Sequence, residues 1–340
     1  MICIAWSGFP QYAARCVGAF AKTMAERVVV VATHPKVPVT GMEELAGCEV
    51  RWIANDECHG IMELLGEVPR VFVVSGWGTV AFNRMRDEAK ACGARIVGMS
   101  DNNFVFSFKE IVKAIRFHMM LRGRYDDFLV PGRSAERLLR FYGFPKEHIH
   151  FGMYAADDAV FKCGDPLVMR PKKILFVGQL CRRKNVVNLA KAFLSVDENT
   201  RKGWTLEICG CGPDRPHIPA DQSIVVHDFV QPEELAKIYQ SARIFALPSR
   251  EEHWGVVVHE AALSGCALLL SRQVGAADDF VDQANAFLFD ANSSRELKDA
   301  VVAALNMTDE KLDLAYAQSI QRGKSISING FVKSLMKVCR

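Results

Sequence analysis

Glu252 and Glu260 stand in the segment ALPSREEHWGVVVHEAALSG, residues 246–265, with seven residues between them. The spacing predicts a strand ending at Leu247, a loop over 248–254 and a helix starting near Gly255. Glu252 then lies in the loop and Glu260 on the second turn of the helix. A helix start offers free N–H groups and a positive dipole end, which suit a phosphate or sugar oxygens. A carboxylate accepts two hydrogen bonds from a vicinal diol such as a ribose. An isolated loop Glu and helical Glu would more often be solvated surface, so the neighbouring constellation matters. Residues 176–185 read FVGQLCRRKN, after another expected strand. Gly178 lets the backbone approach a ligand, and Arg183 with Lys184 sets two cations beside it. Two cations suit a diphosphate leaving group, whose charge grows as its bond to a sugar breaks.

The elements that must position these residues are legible as alternating strands and helices. Strand-like runs fall at 1–6, 28–33, 49–53, 71–75, 95–99 and 127–130, then at 173–177, 205–209, 223–226, 244–247 and 267–271. Helical patterns lie between most of them, among them 11–26, 79–92, 108–122, 134–141 and 184–195. Near-continuous Val/Ile/Leu runs suit parallel strands covered on both faces, and the alternation implies doubly wound α/β units. The pattern occurs twice, around a Gly-, Pro- and charge-rich stretch at 162–173. Two Rossmann-like domains facing a cleft are therefore expected, 1–165 and 166–324, and ligands bind at strand carboxyl ends in such sheets. The chain has 340 residues, half of them apolar and 24% charged, enough for two cores.

Composition narrows the function classes. A net charge of +3 is too small to suggest a nucleic-acid binder. The eleven cysteines, at 3, 16, 48, 58, 92, 163, 181, 209, 211, 266 and 339, form no CxxC pair. Reduced cytosolic thiols are expected rather than a zinc site or disulfides, with Cys209 and Cys211 as small buried residues. The N-terminus, Met-Ile-Cys-Ile-Ala-Trp, has no basic region and reads as a strand, not a signal peptide. No apolar run approaches the roughly 20 residues that span a bilayer. Neither expected domain carries the GxGxxG of a dinucleotide oxidoreductase, and no Asp-x-Asp metal motif occurs.

Segment 246–265 closely resembles the E-x7-E signature of glycosyltransferase family four, with Pro248, Ser249, Glu252, Trp254, Gly255, Glu260, Ala261 and Gly265 all in place. Residues 176–185 resemble that family's Gly-Arg-Leu…Lys-Gly loop, with Gln179 for the usual Arg and Asn185 for the usual Gly. Gly210-x-Gly212-Pro213 resembles its Gly-x-Gly-Pro turn, more often structural than liganding. Residues 226–235 resemble the loop that cradles the nucleobase, with Phe229 and Val230 as candidates unless Phe229 is core. Residues 271–280 resemble the segment after the E-x7-E helix, and 143–161 the element before the interdomain linker. The resemblance implies a retaining, metal-independent enzyme of the GT-B fold, bacterial surface-polysaccharide type, with residues 325–340 capping the first domain. It assigns Glu260 to the ribose, Arg183 and Lys184 to the diphosphate, and Glu252 with the backbone at Trp254, Gly255 and Val256 to the hexose. Gly8, after the first strand, would face the donor phosphates or simply make a turn. Where relatives carry an acceptor-side His this chain has Asp101, an acceptor-orienting carboxylate or a turn residue.

The expected reaction transfers a hexose from a UDP- or GDP-type nucleotide sugar to a glycan or lipid-linked acceptor. No metal or other cofactor is expected, since positive side chains replace the ion. Rival readings are a GT-B sugar-nucleotide 2-epimerase and a non-catalytic partner subunit, since a scaffold does not fix function. The expected location is the cytoplasm. The helix at 108–124 carries Lys109, Lys113, Arg116, Arg122 and Arg124 with Phe117, Met119, Met120 and Leu121. It is either a solvated face beside a buried stripe or a peripheral contact with an anionic membrane.

Overall fold

The structure, a computed structural model, describes residues 1–35, 40–54, 57 and 59–340. Cys58 lies outside the described residues. The chain forms two compact units, Met1–Ala155 with Ser327–Arg340, and Ala156–Ile326.

In chain order the first unit runs β1 (Ile2–Trp6), α1 (Gln11–Ala21), β2 (Val28–Ala32), α2 (Met42–Ala46), β3 (Glu49–Trp52), α3 (Ile61–Leu65) and β4 (Val71–Ser75). It continues with α4 (Val80–Ala91), β5 (Arg95–Met99), α5 (Phe108–Met120), β6 (Asp127–Val130), α6 (Arg133–Phe141) and β7 (Ile149–Phe151). The second unit holds β8 (Lys173–Val177), α7 (Val186–Leu194), α8 (Glu198–Arg201), β9 (Thr205–Cys209), β10 (Ile224–His227), α9 (Pro232–Ser241) and β11 (Ile244–Leu247). After these come α10 (Val256–Leu263), β12 (Ala267–Ser271), α11 (Ala277–Phe280), β13 (Ala286–Phe289), α12 (Ser294–Leu305) and α13 (Asp309–Gly323). The last helix, α14 (Ile328–Val338), returns to the first unit, where Phe331 packs edge-on against Phe20 of α1.

The sheets read β3-β2-β1-β4-β5-β6-β7 and β10-β9-β8-β11-β12-β13. Every pairing is parallel. Both sheets are covered by helices, so their central strands are buried along their whole length, as in β1, β2 and β12. One core of the first unit sets Cys3, Val29, Phe72, Ile96 and Phe128 against Phe82 and Met85 of α4 and Leu138 and Leu139 of α6.

The strand-like runs correspond to β1–β6 and β8–β12. Two further strands, β7 and β13, were not among them. Both are edge strands of three or four residues with partly exposed side chains, so they lack the apolar run that marks a central strand. The first helix ends at Ala21 rather than near 26. Cys209 is buried as expected, but Cys211 is exposed, because it lies in the turn beyond the end of β9.

In each sheet the strand order reverses direction at one place, between β1 and β4 and between β8 and β11. Loops leaving strand carboxyl ends at such a reversal are where open α/β sheets bind ligands. In the second unit those loops are residues 178–185 and 248–255, the two that carry the charged constellation.

Candidate functional site

The site in the second unit is framed by four neighbouring loops, each hydrogen-bonded to the next in the order of their strands, β9-β8-β11-β12. The loop after β9 supports the one after β8: Gly178 N–H donates to the Cys209 carbonyl at 3.0 Å, Leu180 N–H to that of Cys211 at 2.8 Å, and Asp214 N–H to that of Leu180 at 2.9 Å. Gly210 and Gly212 allow this approach. A Cβ at either position would sit 2.0 Å from the Gly178 carbonyl oxygen or 2.3 Å from that of Leu180. The Gly-x-Gly-Pro turn thus acts as a backing for the cation loop.

That loop is joined to the one after β11. Arg250 N–H donates to the Arg183 carbonyl at 2.8 Å, and Arg183 Nη1 to the Glu251 carbonyl at 2.8 Å. Asn185 Nδ2 donates to the carbonyls of Pro248 at 3.1 Å and Ala291 at 3.3 Å. Asn185 is left-handed, with φ 62°, at the start of α7. Asn tolerates that conformation better than most non-glycine residues, which accounts for its standing where the family has Gly. The β11 loop is in turn held by the β12 loop: Glu252 N–H reaches the Gln273 carbonyl at 3.3 Å, Gly275 N–H the Glu252 carbonyl at 3.2 Å, and Ala276 N–H the Trp254 carbonyl at 2.9 Å. Segment 271–280 thereby fixes the backbone of Glu252.

Within that frame Glu252, Lys184 and Arg183 form one cluster. Glu252 and Lys184 are both buried and form an ion pair through Glu252 Oε2 and Lys184 Nζ. Arg183 Nη1 lies 3.4 Å from the same oxygen, and the buried Ser249 hydroxyl donates to it at 3.2 Å. Two cations face one carboxylate, so the cluster keeps a net positive charge and can receive an anion.

Gly255 precedes α10 with φ 95°, and a Cβ there would press on Glu252 Cγ at 3.1 Å. Trp254 is 1% exposed. Its ring packs on Phe280 at 5.5 Å, and Nε1 lies 3.4 Å from Asp279 Oδ2. Its indole belongs to the core, so what position 254 offers a ligand is backbone. Val256, half-buried, is the first residue of α10, whose leading N–H groups have no partner within the helix.

Glu260 projects from the second turn of α10 and accepts a 3.0 Å hydrogen bond from Tyr239 Oη of α9. Burial pushes its carboxyl up to about 7, against the pull of that hydrogen bond. Next to it, His259 is fully buried. Its Nδ1 accepts from Ala156 N–H at 3.0 Å, and Nε2 meets the Gly323 carbonyl at 2.9 Å. Those contacts fix a neutral ring protonated at Nε2. Burial lowers its pKa to about 4, although the carbonyls of Gly323 and Ile326 pull the other way. Phe229 and Val230 are half-buried in the loop after β10. Sequence reasoning missed Tyr239 and His259. Tyr239 reads as one more apolar position of α9, and nothing local marks either contact.

In the first unit, Gly8 has φ 63° and its N–H donates to Thr33 Oγ1 at 2.8 Å. Asp101 follows β5 and accepts from Tyr154 Oη at 3.0 Å, and the Tyr154 ring packs 6.4 Å from Trp6 and 5.1 Å from Tyr12. Tyr154 is 53 residues away in sequence, not a neighbouring turn group. Among the described residues no group of three or more His, Cys, Asp or Glu is placed to hold a metal ion.

Residues 165–321 match the family described as Glycosyl transferases group 1. A D-inositol 3-phosphate glycosyltransferase of Corynebacterium glutamicum is 27% identical over 157 residues, 42% of this chain and 37% of that protein. The chain therefore matches little more than a third of that relative's length. The structure of Anabaena HepE, in complex with UDP and glucose, superposes with a TM-score of 0.76 at 12% identity, covering 99% of this chain and 98% of that one. That of WaaG, a glycosyltransferase involved in lipopolysaccharide biosynthesis, superposes with a TM-score of 0.65 at 13% identity, covering 100% and 99%. These likenesses establish the GT-B fold, with parallel Rossmann-like sheets of seven and six strands.

Proposed function

We propose, on the premise that residues 165–321 carry this chain into the group 1 glycosyl transferases, that it transfers a hexose from a nucleotide-diphosphate sugar with retention and without a metal. The observation that carries the reading is the Glu252–Lys184–Arg183 cluster, set on the two loops that flank the β8/β11 reversal. The unit Ala156–Ile326 binds the donor. Glu260, oriented by Tyr239, accepts from the ribose diol, and Phe229 and Val230 flank the base. Arg183 and Lys184 receive the diphosphate, Lys184 exchanging Glu252 for phosphate oxygens, while Gly178 keeps the backbone open beside them. Glu252 is then free to accept from hexose hydroxyls, with the α10 start at Gly255 and Val256 beside it.

In the reaction the acceptor hydroxyl oxygen bonds to the anomeric carbon on the face the diphosphate leaves. The bond from that carbon to the phosphate oxygen breaks, and the acceptor proton passes to the departing phosphate. The two cations hold the charge that develops, the work a divalent ion would otherwise do. In the unit Met1–Ala155 with Ser327–Arg340, Asp101 is the residue proposed to orient the acceptor hydroxyl, and Gly8 a backbone position proposed for a phosphate.

Thermal-shift titration with UDP-, GDP- and ADP-sugars tests the donor. The HepE complex with UDP and glucose makes UDP-glucose the first to try. A true donor stabilises the protein by about 2.7 kcal/mol at a hundredfold excess over its Kd. Stabilisation by none of them, or transfer that requires a divalent ion, defeats the reading.

The acceptor is lipid-linked in this reading, and α5 brings the protein to the membrane's inner face. Among the described residues no helix is long and apolar enough to cross a membrane. The α5 face instead turns an apolar stripe to solvent: Phe108 (89% exposed), Val112, Ile115 and Met119 (78% exposed), continued by Val105 and Phe106 before the helix. Only Phe117 of α5 is fully buried. Lys109, Lys113 and Arg116 share the helix, and an outward apolar stripe with cations is the pattern of an interfacial helix on anionic lipid. Vesicle flotation checks it: Phe108→Ser with Met119→Ser should abolish binding to anionic vesicles.

A further inference from the structure

Between α4 and α5, wholly within the first unit, lies a recess of about 530 Å³ lined by Trp77, Asn83, Arg86, Lys113, Arg116 and Arg124 among others. That volume is within the usual range for small-molecule sites. The cations reach it by different routes. Arg86 is almost fully buried, its guanidinium held by Asn83 Oδ1 and Tyr125 Oη, each at 2.7 Å, and by Asp87 at 2.9 Å. Arg124 pairs with the same Asp87 at 2.6 Å. Lys113 pairs with Glu110 at 2.5 Å, and Glu110 also accepts from Tyr142 Oη at 2.6 Å. Arg116 has no ion-pair partner among the described residues. Four cations against two carboxylates, Asp87 and Glu110, leave two positive charges uncompensated at the recess. Trp77 closes one side, its ring 5.3 Å from that of Phe117.

The recess borders the basic amphipathic helix whose apolar stripe faces away from the unit. We infer that it is a head-group site for an anionic membrane lipid ending in a phosphate monoester, which Arg116 and Arg124 grip while the α5 stripe lies in the acyl boundary. This rests on the membrane reading of α5 and adds a selectivity to it. A phosphate monoester carries between one and two negative charges near neutral pH, which matches the two uncompensated cations. A diester head group carries one. The built position of Arg86 matters because a buried guanidinium costs no further ordering when the anion arrives.

The test compares vesicles of phosphatidylcholine containing phosphatidic acid with vesicles containing phosphatidylglycerol, adjusted to equal surface potential. Wild type should bind the phosphatidic acid vesicles more tightly. Lys109→Gln, on the same helix but outside the recess, should weaken binding to both by one factor, roughly fivefold for one cation near an anionic surface. Arg116→Gln should weaken phosphatidic acid binding by roughly fivefold more than phosphatidylglycerol binding and so erase the preference. Equal behaviour of Arg116→Gln and Lys109→Gln on both lipids overturns the head-group site. Inorganic phosphate that binds the free protein as tightly as the lipid does overturns the lipid as its source. A short-chain phosphatidic acid below its micelle concentration separates this proposal from the membrane reading. Binding of that monomer to wild type and not to Arg116→Gln upholds the recess even if the Phe108→Ser/Met119→Ser protein still floats with vesicles. No binding of the monomer to wild type removes the recess and leaves the interfacial helix standing.

Discussion

The two units share a strand order around their reversal, β3-β2-β1-β4-β5 in one and β10-β9-β8-β11-β12 in the other, yet they equip it differently. In the first unit the loop after β1 is tied by neutral groups: Ser7 N–H donates to Oγ of Ser75, the last residue of β4, at 2.7 Å, and Gly8 N–H to Oγ1 of Thr33, just after β2, at 2.8 Å. At the β8/β11 reversal the loops are tied by a buried carboxylate and two cations. The apolar strands dictate the same frame in both cases, and the loops alone decide what the frame can hold. The first unit instead carries its uncompensated charge at the recess between α4 and α5.

That contrast is sharpest in what one lysine is worth. Lys184→Ala leaves Glu252 buried with only Arg183 at 3.4 Å and the Ser249 hydroxyl. Breaking a buried pair from one side costs about 3–5 kcal/mol, so denaturant unfolding should show a loss near the lower figure. Transfer should fall by at least about a hundredfold, since each 1.4 kcal/mol of lost transition-state stabilisation is tenfold in rate. Added magnesium should not restore it. Lys113→Ala, which breaks a pair whose lysine is solvent-exposed and leaves Glu110 its hydrogen bond from Tyr142, should cost at most about 1 kcal/mol. Equal losses at the two lysines would show that burial of the Glu252 pair adds nothing to its strength.

Next in size is nucleotide affinity. Glu260→Ala should weaken nucleoside diphosphate binding by about 1.5–3 kcal/mol, the range for a hydrogen bond to a charged group, read by calorimetry above the pH at which the buried carboxyl, pushed up to about 7, ionises. Glu252→Gln should lower turnover and leave that affinity nearly intact. If Glu252→Gln abolishes binding of the bare nucleotide, the ribose and hexose roles are wrongly divided between the two carboxylates.

The adjacent residues His259 and Glu260 give a third effect, through pH. The carboxyl of Glu260 rises on folding from its ordinary 4.5 to about 7, so the folded protein holds a proton there that the unfolded chain releases. Its contribution is present below about pH 4.5 and is lost as pH rises through about 7. His259 falls from 6.5 to about 4, so its contribution is present above about pH 6.5 and is lost as pH falls through about 4. Between those limits the two slopes oppose. Glu260→Gln should make stability rise with pH over that window relative to wild type, by up to about 1.4 kcal/mol per unit, and His259→Gln should make it fall. Urea unfolding at stepped pH reads both. Two variants that tilt the same way would contradict the burial that sets these values.

The second unit was the more legible in sequence, and the reason is local. Glu252, Gly255 and Glu260 lie within nine residues on one loop and one helix, so strand and helix geometry nearly fix them before any long-range contact is known. Position 185 departs from the family's glycine, yet its left-handed backbone is one Asn can adopt. Tyr239 was not legible, because its hydroxyl meets Glu260 only through the packing of α9 beside α10. The α5 stripe shows the opposite failure. Residues 108, 112, 115 and 119 have helical spacing, which ordinarily marks a buried face. Here that face is outside, and Phe117 on the other side is inside. Periodicity reports that a stripe exists and not which way it turns.

Asp101 carries the smallest expected effect and probes the unit where sequence said least. Its carboxylate accepts from Tyr154 Oη at 3.0 Å, and Tyr154 belongs to the ring cluster with Trp6 and Tyr12. Asn keeps an oxygen for that hydroxyl and also serves in turns, so Asp101→Asn should fold with a stability change of about 1 kcal/mol or less. What it removes is the charge. If the carboxylate orients the acceptor hydroxyl, its hydrogen bond weakens from the charged range toward the neutral one, a difference of about 1 kcal/mol, or severalfold in acceptor-dependent transfer. Donor affinity should not move, because every side chain proposed for the donor lies in the other unit. Tyr154→Phe gives the companion measurement. It leaves the charge and removes the hydroxyl that holds the carboxylate in place, so it should raise the acceptor KM while the donor KM stays constant. A purified Asp101→Asn protein that transfers at the wild-type rate, with a normal acceptor KM, takes Asp101 out of the site and leaves the first unit without a catalytic side chain.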